Sequence, residues 1–443
     1  MSETLKKYLP LVGAVIAGAV LRAGITLGAV SDMARFSRPD TAGYLEMARY
    51  LVEHGNFGNL TGRVPLFPLF CSGTMVLAGN YWQYLAITLL LLVSVATIYV
   101  VWLAAKEFKE GCENAAAWLF ALNITAVANA PMLLTDTLFG LFAAVETLFI
   151  FKFIKSRKAA DFLVSVAVAA LGTLLRPINL LFPFCALCLL VCVDMPWKKR
   201  LLTGAAAVII ALGIVTPWMF RNAACQAGFT IDTNTGAMYH QNGAMLLSEV
   251  NKTDFESEKA KLIKQMSVEF SDKVRYPDEK SREEYRVKNY RKLVLSHPFI
   301  WFKQQLNFAT LLPDAPTFLE LAGATTPNRG TMGVLAKEGV FAAVKHYFGG
   351  KIYLILLLLP LLAVSGITLA GAAGFITDKV SLFNRETVLV LVLFALLIWY
   401  YLFLPGAISA PRYHIPALPC ACAFAGCFLI KAKIFLKKIC KKR

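Results

Sequence analysis

The chain alternates apolar runs of about 20 residues with short polar segments. The first run, residues 8–30, is long enough to span a bilayer as a helix and too long for the core of a secretion signal. Further runs begin near residues 81, 115 and 133, form a hairpin around Arg176 and Pro177, end at 217–222, and begin again near 351, 387 and 415. This pattern predicts an all-α, polytopic membrane protein with about ten transmembrane helices.

The polar segment after the first run begins with an isolated acid, Asp40. Its apolar side chains recur at helical spacing over residues 41–53, at Tyr44, Met47, Ala48 and Leu51. We expect a short amphipathic helix that lies in the membrane interface. Two prolines interrupt residues 64–79, so this stretch is predicted to be re-entrant or to lie flat on the membrane.

Lysine and arginine clusters recur at alternate ends of the apolar runs, at 106–109, 152–158, 198–200 and 431–443. The positive-inside rule then places both termini in the cytoplasm of a bacterial or archaeal cell. Three parts follow: residues 1–222 with a first external loop at 31–80, a charged extracytoplasmic soluble domain at 223–350, and the last helices with a basic tail at 351–443.

Composition agrees with a multi-pass protein of the plasma membrane. The mean hydropathy is +0.59 and only 16% of the residues are charged. The net charge of +17 does not indicate nucleic acid, because the basic residues cluster at the ends of apolar runs, where they face membrane lipids. Most of the ten cysteines lie inside apolar runs, which argues against a disulfide framework.

On this topology, the notable polar residues fall on one face of the membrane. They are Asp40, Arg63, Asp136, Arg176, Arg221, Arg412, Tyr413 and His414. Arginines on the external face run against the usual charge bias, and an anionic ligand would account for them. A carboxylate to accept a hydroxyl proton, with guanidinium groups to neutralise a departing phosphate, is what transfer from a lipid-phosphate sugar donor requires.

Structural roles for the same residues stay open at this point. Asp40 and Asp136 each precede a helix, where a carboxylate caps the free backbone N–H groups. The arginines at the ends of the predicted spans can extend their side chains to lipid phosphates. The histidines fit ordinary loop or interface positions.

Several motifs resemble, in order, those of polyprenyl-phosphate-dependent glycosyltransferases of the GT-C class. The relevant motifs are the acid before a Tyr-containing helix, RVPLFPL at 63–69, TDTLF at 135–139, LRP at 175–177, PWMFRN at 217–222, SHPFIWF at 296–302 and RYHIPALP at 412–419. The closest resemblance is to bacterial dolichyl-phosphate-mannose-protein mannosyltransferase-like proteins and lipid A aminoarabinose transferases.

The resemblance implies a GT-C fold and an active site that faces the periplasm or the cell exterior. Asp40 and Asp136 would be the catalytic acids of the first two external loops. Arg63, Arg221, Arg412 and Tyr413 would hold the donor phosphate, with Arg176 and His414 in support. Family members often carry a second acid directly after the first, whereas Thr41 stands there in this chain. We therefore expect no required metal or other cofactor.

The resulting hypothesis is an enzyme that moves a sugar from a polyprenyl-phosphate donor to a hydroxyl of a lipid, glycan or protein, with inversion at the anomeric carbon. One alternative is a transporter or flippase for lipid-linked oligosaccharides, for which Glu146 is the nearest mid-membrane charge. An O-antigen polymerase or ligase is a second alternative. Residues 223–350 are expected to select the acceptor, but the sequence identifies neither the acceptor nor the sugar.

Overall fold

The computed structural model describes residues 3–234, 237–324, 331–382, 384–408 and 410–440, and within these ranges it contains helices and no strands. The helices of the first half are α1 (Glu3–Ala29), α2 (Pro39–His54), α3 (Leu66–Ala78), α4 (Trp82–Phe108), α5 (Glu113–Ala121), α6 (Ile124–Asn129), α7 (Asp136–Ser156), α8 (Ala159–Thr173), α9 (Phe182–Cys185), α10 (Cys188–Cys192) and α11 (Trp197–Ala224).

The second half continues with α12 (Ala237–His240), α13 (Asn242–Asn251), α14 (Phe255–Glu269), α15 (Glu279–Ser296), α16 (Pro298–Gln305), α17 (Ala315–Leu321), α18 (Thr331–Tyr347), α19 (Leu354–Val380), α20 (Arg385–Phe394), α21 (Tyr400–Phe403) and α22 (Leu418–Cys440). A π-helical turn at Ala395–Trp399 joins α20 to α21. Short 3-10 helices occupy Met33–Phe36, Gly79–Tyr81, Pro177–Leu181, Phe308–Leu311 and Pro411–Ala417.

Seven helical stretches of the described chain are long and apolar enough to cross a membrane, as expected for a multi-pass protein. They are Tyr8–Ala29, Leu66–Phe108, Asp136–Ser156, Trp197–Ala224, Leu354–Val380, Glu386–Phe403 and Pro411–Lys437. The other predicted spans correspond to shorter helices. Buried Asn123 caps α6 and divides the predicted third span. The predicted sixth span begins with a 3-10 helix at Pro177 and is interrupted near Pro183.

The proline-containing stretch after α2, which was predicted to be re-entrant or to lie flat, forms the helix α3. Pro65 occupies the N-cap and Pro68 the first turn, positions whose backbone N–H has no partner inside a helix. The apolar face of α2 packs on α3, with the rings of Tyr44 and Phe67 5.1 Å apart at their centroids. The predicted amphipathic helix is thus present, and its apolar side is covered by protein.

The membrane core is a bundle in which α7 packs between α4 and α8, while α22 packs against α19, α5 and α4. Close approach of α19 and α22 depends on a small residue, because a Cβ at Gly371 would lie 2.9 Å from the Cβ of Ala425. Some of the polar residues buried in this core are hydrogen-bonded across helices. Tyr401 Oη donates to Asn179 Oδ1 at 2.7 Å and lies 3.2 Å from Glu146 Oε1.

Besides Glu146, a second charged residue, Arg22 in α1, is buried inside the bundle. Its Nε donates to Ser94 Oγ and its Nη1 to Ala121 O, each at 2.8 Å. These bonds join α1 to α4 and α5, and the side chain is fully buried. Both Arg22 and Glu146 therefore have partners inside the fold, as a structural role requires.

Helices α13–α15, with Tyr239 of α12, form a separate, smaller core built on Tyr239, Ala244, Leu262 and Met266, and α16 packs against α13 and α15 of this unit. The helical stretch 279–305 is divided at His297 and Pro298 into α15 and α16. Beyond this unit, α17 returns to the main bundle and packs against α6. The buried Asp314 side chain holds it there, accepting hydrogen bonds from Thr317 N at 3.3 Å and Asn129 Nδ2 at 2.8 Å.

Candidate active site

Asp40 lies in the first turn of α2 and does not cap the helix. Arg38 takes the N-cap position and Pro39 the first helical position, where proline is preorganised. Thr41 completes the cap, because its hydroxyl accepts a hydrogen bond from Arg38 N at 2.9 Å. The carboxylate of Asp40 is left free to make side-chain ion pairs.

The residue after Asp40 is turned away from the acid. The Thr41 side chain is buried, and its hydroxyl donates to Leu133 O at 3.0 Å, a residue of the loop before α7. A further backbone bond, from Leu133 N to Phe36 O at 2.8 Å, ties the same two loops together. Thr41 thus joins the start of α2, which carries Asp40, to the segment before α7, which carries Asp136. An acid at position 41 would face the backbone carbonyl of Leu133.

Asp136 is the first residue of α7, and Thr135 is the N-cap. The carboxylate is 3% exposed, and it pairs with Arg176, which follows the end of α8. Burial is the largest single influence on Arg176 and would lower its pKa, but the charge and hydrogen bond of Asp136, with Tyr413 and Tyr44 nearby, together raise the pKa above the ordinary value. The guanidinium therefore stays charged.

Arg412 joins the two acids into one cluster. Its Nη2 lies 3.1 Å from Asp40 Oδ2 and its Nε lies 3.7 Å from Asp136 Oδ2. Arg63 Nη2 reaches the other oxygen of Asp40 at 3.2 Å. With Arg176, three guanidinium groups meet two carboxylates, so the cluster carries one excess positive charge and attracts an anion. We call Asp40, Arg63, Asp136, Arg176 and Arg412 the charged cluster.

The two acids differ in access to solvent. The Asp40 side chain is 45% exposed, against 3% for Asp136. A group that enters from solvent can therefore reach Asp40, while Asp136 is enclosed by Arg176 and Arg412. The Nε of Arg412 is buried and makes no hydrogen bond within the described residues, which leaves a donor directed at the cluster.

The rings of two tyrosines pack against the three arginines of the charged cluster. The guanidinium carbon of Arg63 lies 4.9 Å from the ring centre of Tyr44, and those of Arg176 and Arg412 lie 4.8 and 5.5 Å from the ring centre of Tyr413. These cation–π contacts hold the guanidinium planes in place without using their N–H donors. The structure thus places Tyr413 against Arg412, which was predicted to bind the donor phosphate, and against Arg176, which was predicted to support it.

Arg221 makes its contacts away from the charged cluster. Its Nη1 donates to Leu60 O at 2.8 Å, and its Nη2 donates to Phe57 O at 3.0 Å and also to Gly58 O. The guanidinium also lies 4.6 Å from the ring centre of Trp218. With the 55–58 turn and Cys225, these residues line a cavity of about 420 Å³. Arg221 thus binds the backbone of the loop between α2 and α3, which occupies the terminal N–H donors that a phosphate would need.

His414 is buried beneath the cluster. Its Nδ1–H donates to Thr310 O at 2.6 Å, which ties the start of the last membrane helix to the short helix at Phe308–Leu311. This contact fits the supporting role expected for His414. Among the described residues, no three or more His, Cys, Asp or Glu side chains are grouped so as to hold a metal ion.

Sequence reasoning did not single out the ion pair that borders the site. Arg38 Nη2 lies 2.8 Å from Glu320 Oε2, and Arg35 Nη1 donates to Glu320 O at 3.4 Å. This pair connects the N-terminus of α2 to the C-terminal end of α17. Glu320 lies 282 positions from Arg38, and no local pattern around it indicates such a partner.

Comparison with known proteins gives one family model and several solved structures. Residues 62–220 match the family described as dolichyl-phosphate-mannose-protein mannosyltransferase. No curated protein matches the chain in sequence. The matched region includes Arg63, Asp136, Arg176 and most of α11, and it bears out the resemblance to GT-C glycosyltransferases.

Solved structures share the fold at low sequence identity. The oligosaccharyltransferase of Archaeoglobus fulgidus in its apo form has a TM-score of 0.53 and 15% identity, covering 99% of this chain and 52% of that chain. AglB from the same organism, with an inhibitory peptide and a dolichol-phosphate, has a TM-score of 0.51 and 12% identity over the same shares. ArnT from Cupriavidus metallidurans, bound to undecaprenyl phosphate, has a TM-score of 0.40 and 14% identity, covering 97% of this chain and 77% of that chain.

The chain spans about half the length of the oligosaccharyltransferases it matches. The likeness covers nearly all of this chain, so the predicted all-helical GT-C membrane fold is confirmed.

Proposed function

We propose that this GT-C-fold chain is a membrane glycosyltransferase that moves a sugar from a polyprenyl-phosphate donor to a hydroxyl group. The observation that carries the proposal is the charged cluster, in which Arg412 links an exposed and a buried carboxylate and leaves one excess positive charge. The family match over residues 62–220 and the dolichol-phosphate named for the similar AglB structure support a lipid-phosphate donor.

The chemistry proposed for the cluster is a single displacement. Asp40 accepts the proton of the acceptor hydroxyl as its oxygen attacks the anomeric carbon. The bond from that carbon to the phosphate oxygen breaks, and its electron pair leaves with the polyprenyl phosphate. Arg412 and Arg63 neutralise the charge that develops on this leaving group. Attack opposite the leaving group inverts the configuration at the anomeric carbon.

The remaining predicted site residues take supporting roles in this proposal. Asp136 orients Arg176 and Arg412, and Tyr413 supports both arginines from below. Arg221 holds the first external loop against α11 and acts on the donor only through that loop. His414 fixes the position of the segment that carries Arg412.

The proposed orientation follows from the distribution of charge. Basic residues gather at the end of the bundle away from the cluster, where Lys155 pairs with Glu107 at 3.5 Å and Arg157 with Asp194 at 3.3 Å. The positive-inside rule then puts that end and both termini in the cytoplasm, and the cluster in the periplasm or at the cell exterior. The unit formed by α13–α16 lies on the cluster side and would contribute to acceptor choice.

A transfer assay with matched variants tests the proposal. The full chain, reconstituted in lipid, is given radiolabelled polyprenyl-phosphate sugars and membrane-extract acceptors, with and without a chelator. Asp40→Asn is expected to abolish transfer, whereas Glu46→Gln, which removes an exposed carboxylate from the same helix, should retain it. Transfer in the chelator would support catalysis without a metal. Equal rates for Asp40→Asn and wild type would refute the role of Asp40.

A further inference from the structure

The exposed surface of α15 and α16 carries an apolar stripe that the proposed reaction does not use. Leu295, Phe299, Phe302 and Leu306 recur at intervals of four, three and four residues. All four are exposed, Phe299 and Phe302 at 87% and 59%. Exposed phenylalanines in such a stripe are costly in water and typical of a surface that meets another apolar phase.

The opposite side of α16 makes polar contacts with its own unit. Trp301 Nε1 donates to Tyr290 Oη at 3.2 Å. Gln304 Nε2 donates to Met245 O at 3.1 Å and to Glu249 Oε2 at 3.0 Å. The helix is therefore anchored by its polar side, which fixes the phenylalanines outward.

This stripe continues directly onto a membrane helix. Phe308, which is 63% exposed, packs on Phe403 with ring centroids 5.8 Å apart. Asn307 Nδ2 donates to Ala407 O at 2.9 Å, just beyond the end of the apolar stretch Glu386–Phe403. The exposed face of α16 thus joins the end of a candidate membrane span on the side where Arg412 lies.

Basic side chains share one face of α15 with Leu295, the first residue of the apolar stripe. Lys288, Arg291, Lys292 and Leu295 follow one another at i, i+3, i+4 and i+7, which places them on one side of α15. All of them are exposed. A row of cations next to exposed phenylalanines matches the two layers of a leaflet, the phosphate headgroups and the acyl chains.

We propose that this surface, residues 288–312, is seated in the membrane leaflet on the side of the charged cluster. Phe299, Phe302 and Phe308 enter the acyl layer, and Lys288, Arg291 and Lys292 bind the phosphates of acidic lipids. The α13–α16 unit is then a peripheral membrane element rather than a free soluble domain. An acceptor reaches Asp40 past a unit fixed at the leaflet surface.

Depth-dependent quenching tests the apolar part of the proposal. A fluorescent amino acid is introduced separately at positions 299, 302 and 274 of the full chain in nanodiscs, and folding is verified by gel filtration. Position 274 is the control, since Val274 is 94% exposed in the loop between α14 and α15 of the same unit. Nitroxides on lipid acyl chains should quench positions 299 and 302, at a depth of about 5–10 Å. Aqueous iodide should quench position 274.

Two results would overturn the seating. Iodide quenching at all three positions means that the stripe faces water. Quenching by neither reagent at 299 and 302 means that another protein or a second copy of the chain covers them.

The basic part has its own matched test. The variant with Lys288→Gln, Arg291→Gln and Lys292→Gln should lose the preference of position 299 for headgroup-labelled phosphatidylglycerol over phosphatidylcholine. Replacing three exposed lysines elsewhere in the unit, Lys252, Lys264 and Lys273, removes the same charge and should leave that preference intact. Equal loss in both variants would refute specific seating of the basic face.

Discussion

Replacing Arg412 tests the charged cluster most directly, because this side chain contacts both acids. Its Nη2 lies 3.1 Å from Asp40 and its Nε 3.7 Å from Asp136, so two edges of one planar group are used. A lysine in the same place has a single ammonium and cannot span both carboxylates. Arg412→Lys thus keeps the excess positive charge but loses the geometry, whereas Arg412→Met loses both.

The expected sizes follow from these two losses. A donor that stabilises charge only in the transition state contributes about 10²–10³ in kcat, so Arg412→Met should slow transfer by about that factor. Arg412→Lys should slow transfer by about tenfold, less than Arg412→Met does, because the loss of one charge-assisted hydrogen bond costs about 1.5 kcal/mol or more. Initial transfer rates at saturating donor, in nanodiscs, measure both variants.

The controls separate chemistry from folding. Arg49→Met removes an exposed arginine on the outer side of α2 and should leave the rate unchanged. Thermal unfolding of each variant shows whether the bundle persists. If folded Arg412→Met transferred sugar within about threefold of wild type, the proposed stabilisation of the leaving phosphate would be wrong.

Three further outcomes are expected. Asp136→Asn leaves Arg176 buried without its carboxylate, so the variant should lose about 3–5 kcal/mol of stability in thermal unfolding. A variant that lost activity at unchanged stability would contradict this structural role of Asp136. Gly43→Ala places a Cβ 3.1 Å from Arg63 Nε and should lower the transfer rate with little change in unfolding temperature; an unchanged rate would show that Arg63 is not needed where it lies. Hydrogen bonds from Lys261 and Thr253 hold the pKa of Glu258 below its ordinary value of 4.5, so the ionised carboxylate stabilises the fold above pH 4.5 and this stability is lost as the pH falls through the folded-state pKa. Glu258→Gln should therefore make the unfolding temperature less dependent on pH in the acid range. An unchanged pH dependence would exclude Glu258 as its source.

The membrane fold was predictable because hydrophobic length is a strong signal. The long helices α1, α4, α7, α11, α19 and α22 coincide with apolar runs. The breaks within predicted spans were harder, since Asn123 and Pro183 act through caps and turns that depend on neighbouring helices. The bounds proposed for the three parts of the chain remain predictions.

The sequence predicted which residues form the candidate site better than it predicted the contacts between them. Sidedness alone placed Asp40, Asp136 and Arg412 on one face, and the structure brings them together. The sequence could not distinguish the role of Arg63 from that of Arg221, because both are arginines predicted at the same surface. In the structure, the backbone carbonyls that bind Arg221 distinguish the two. The Arg38–Glu320 pair depends on a long-range return of the chain that no local pattern encodes.

The cluster draws on residues that are made at very different times. Asp40 and Arg412 are 372 positions apart, and the segment carrying Arg412 leads directly into α22. While the ribosome is still producing the middle of the chain, Asp40 has only Arg63 as its ionic partner. The full set of charges forms once the membrane insertion machinery has released α22 to pack beside α4, α5 and α19. A nascent or truncated chain that lacks this segment therefore has the acids without the bridge between them.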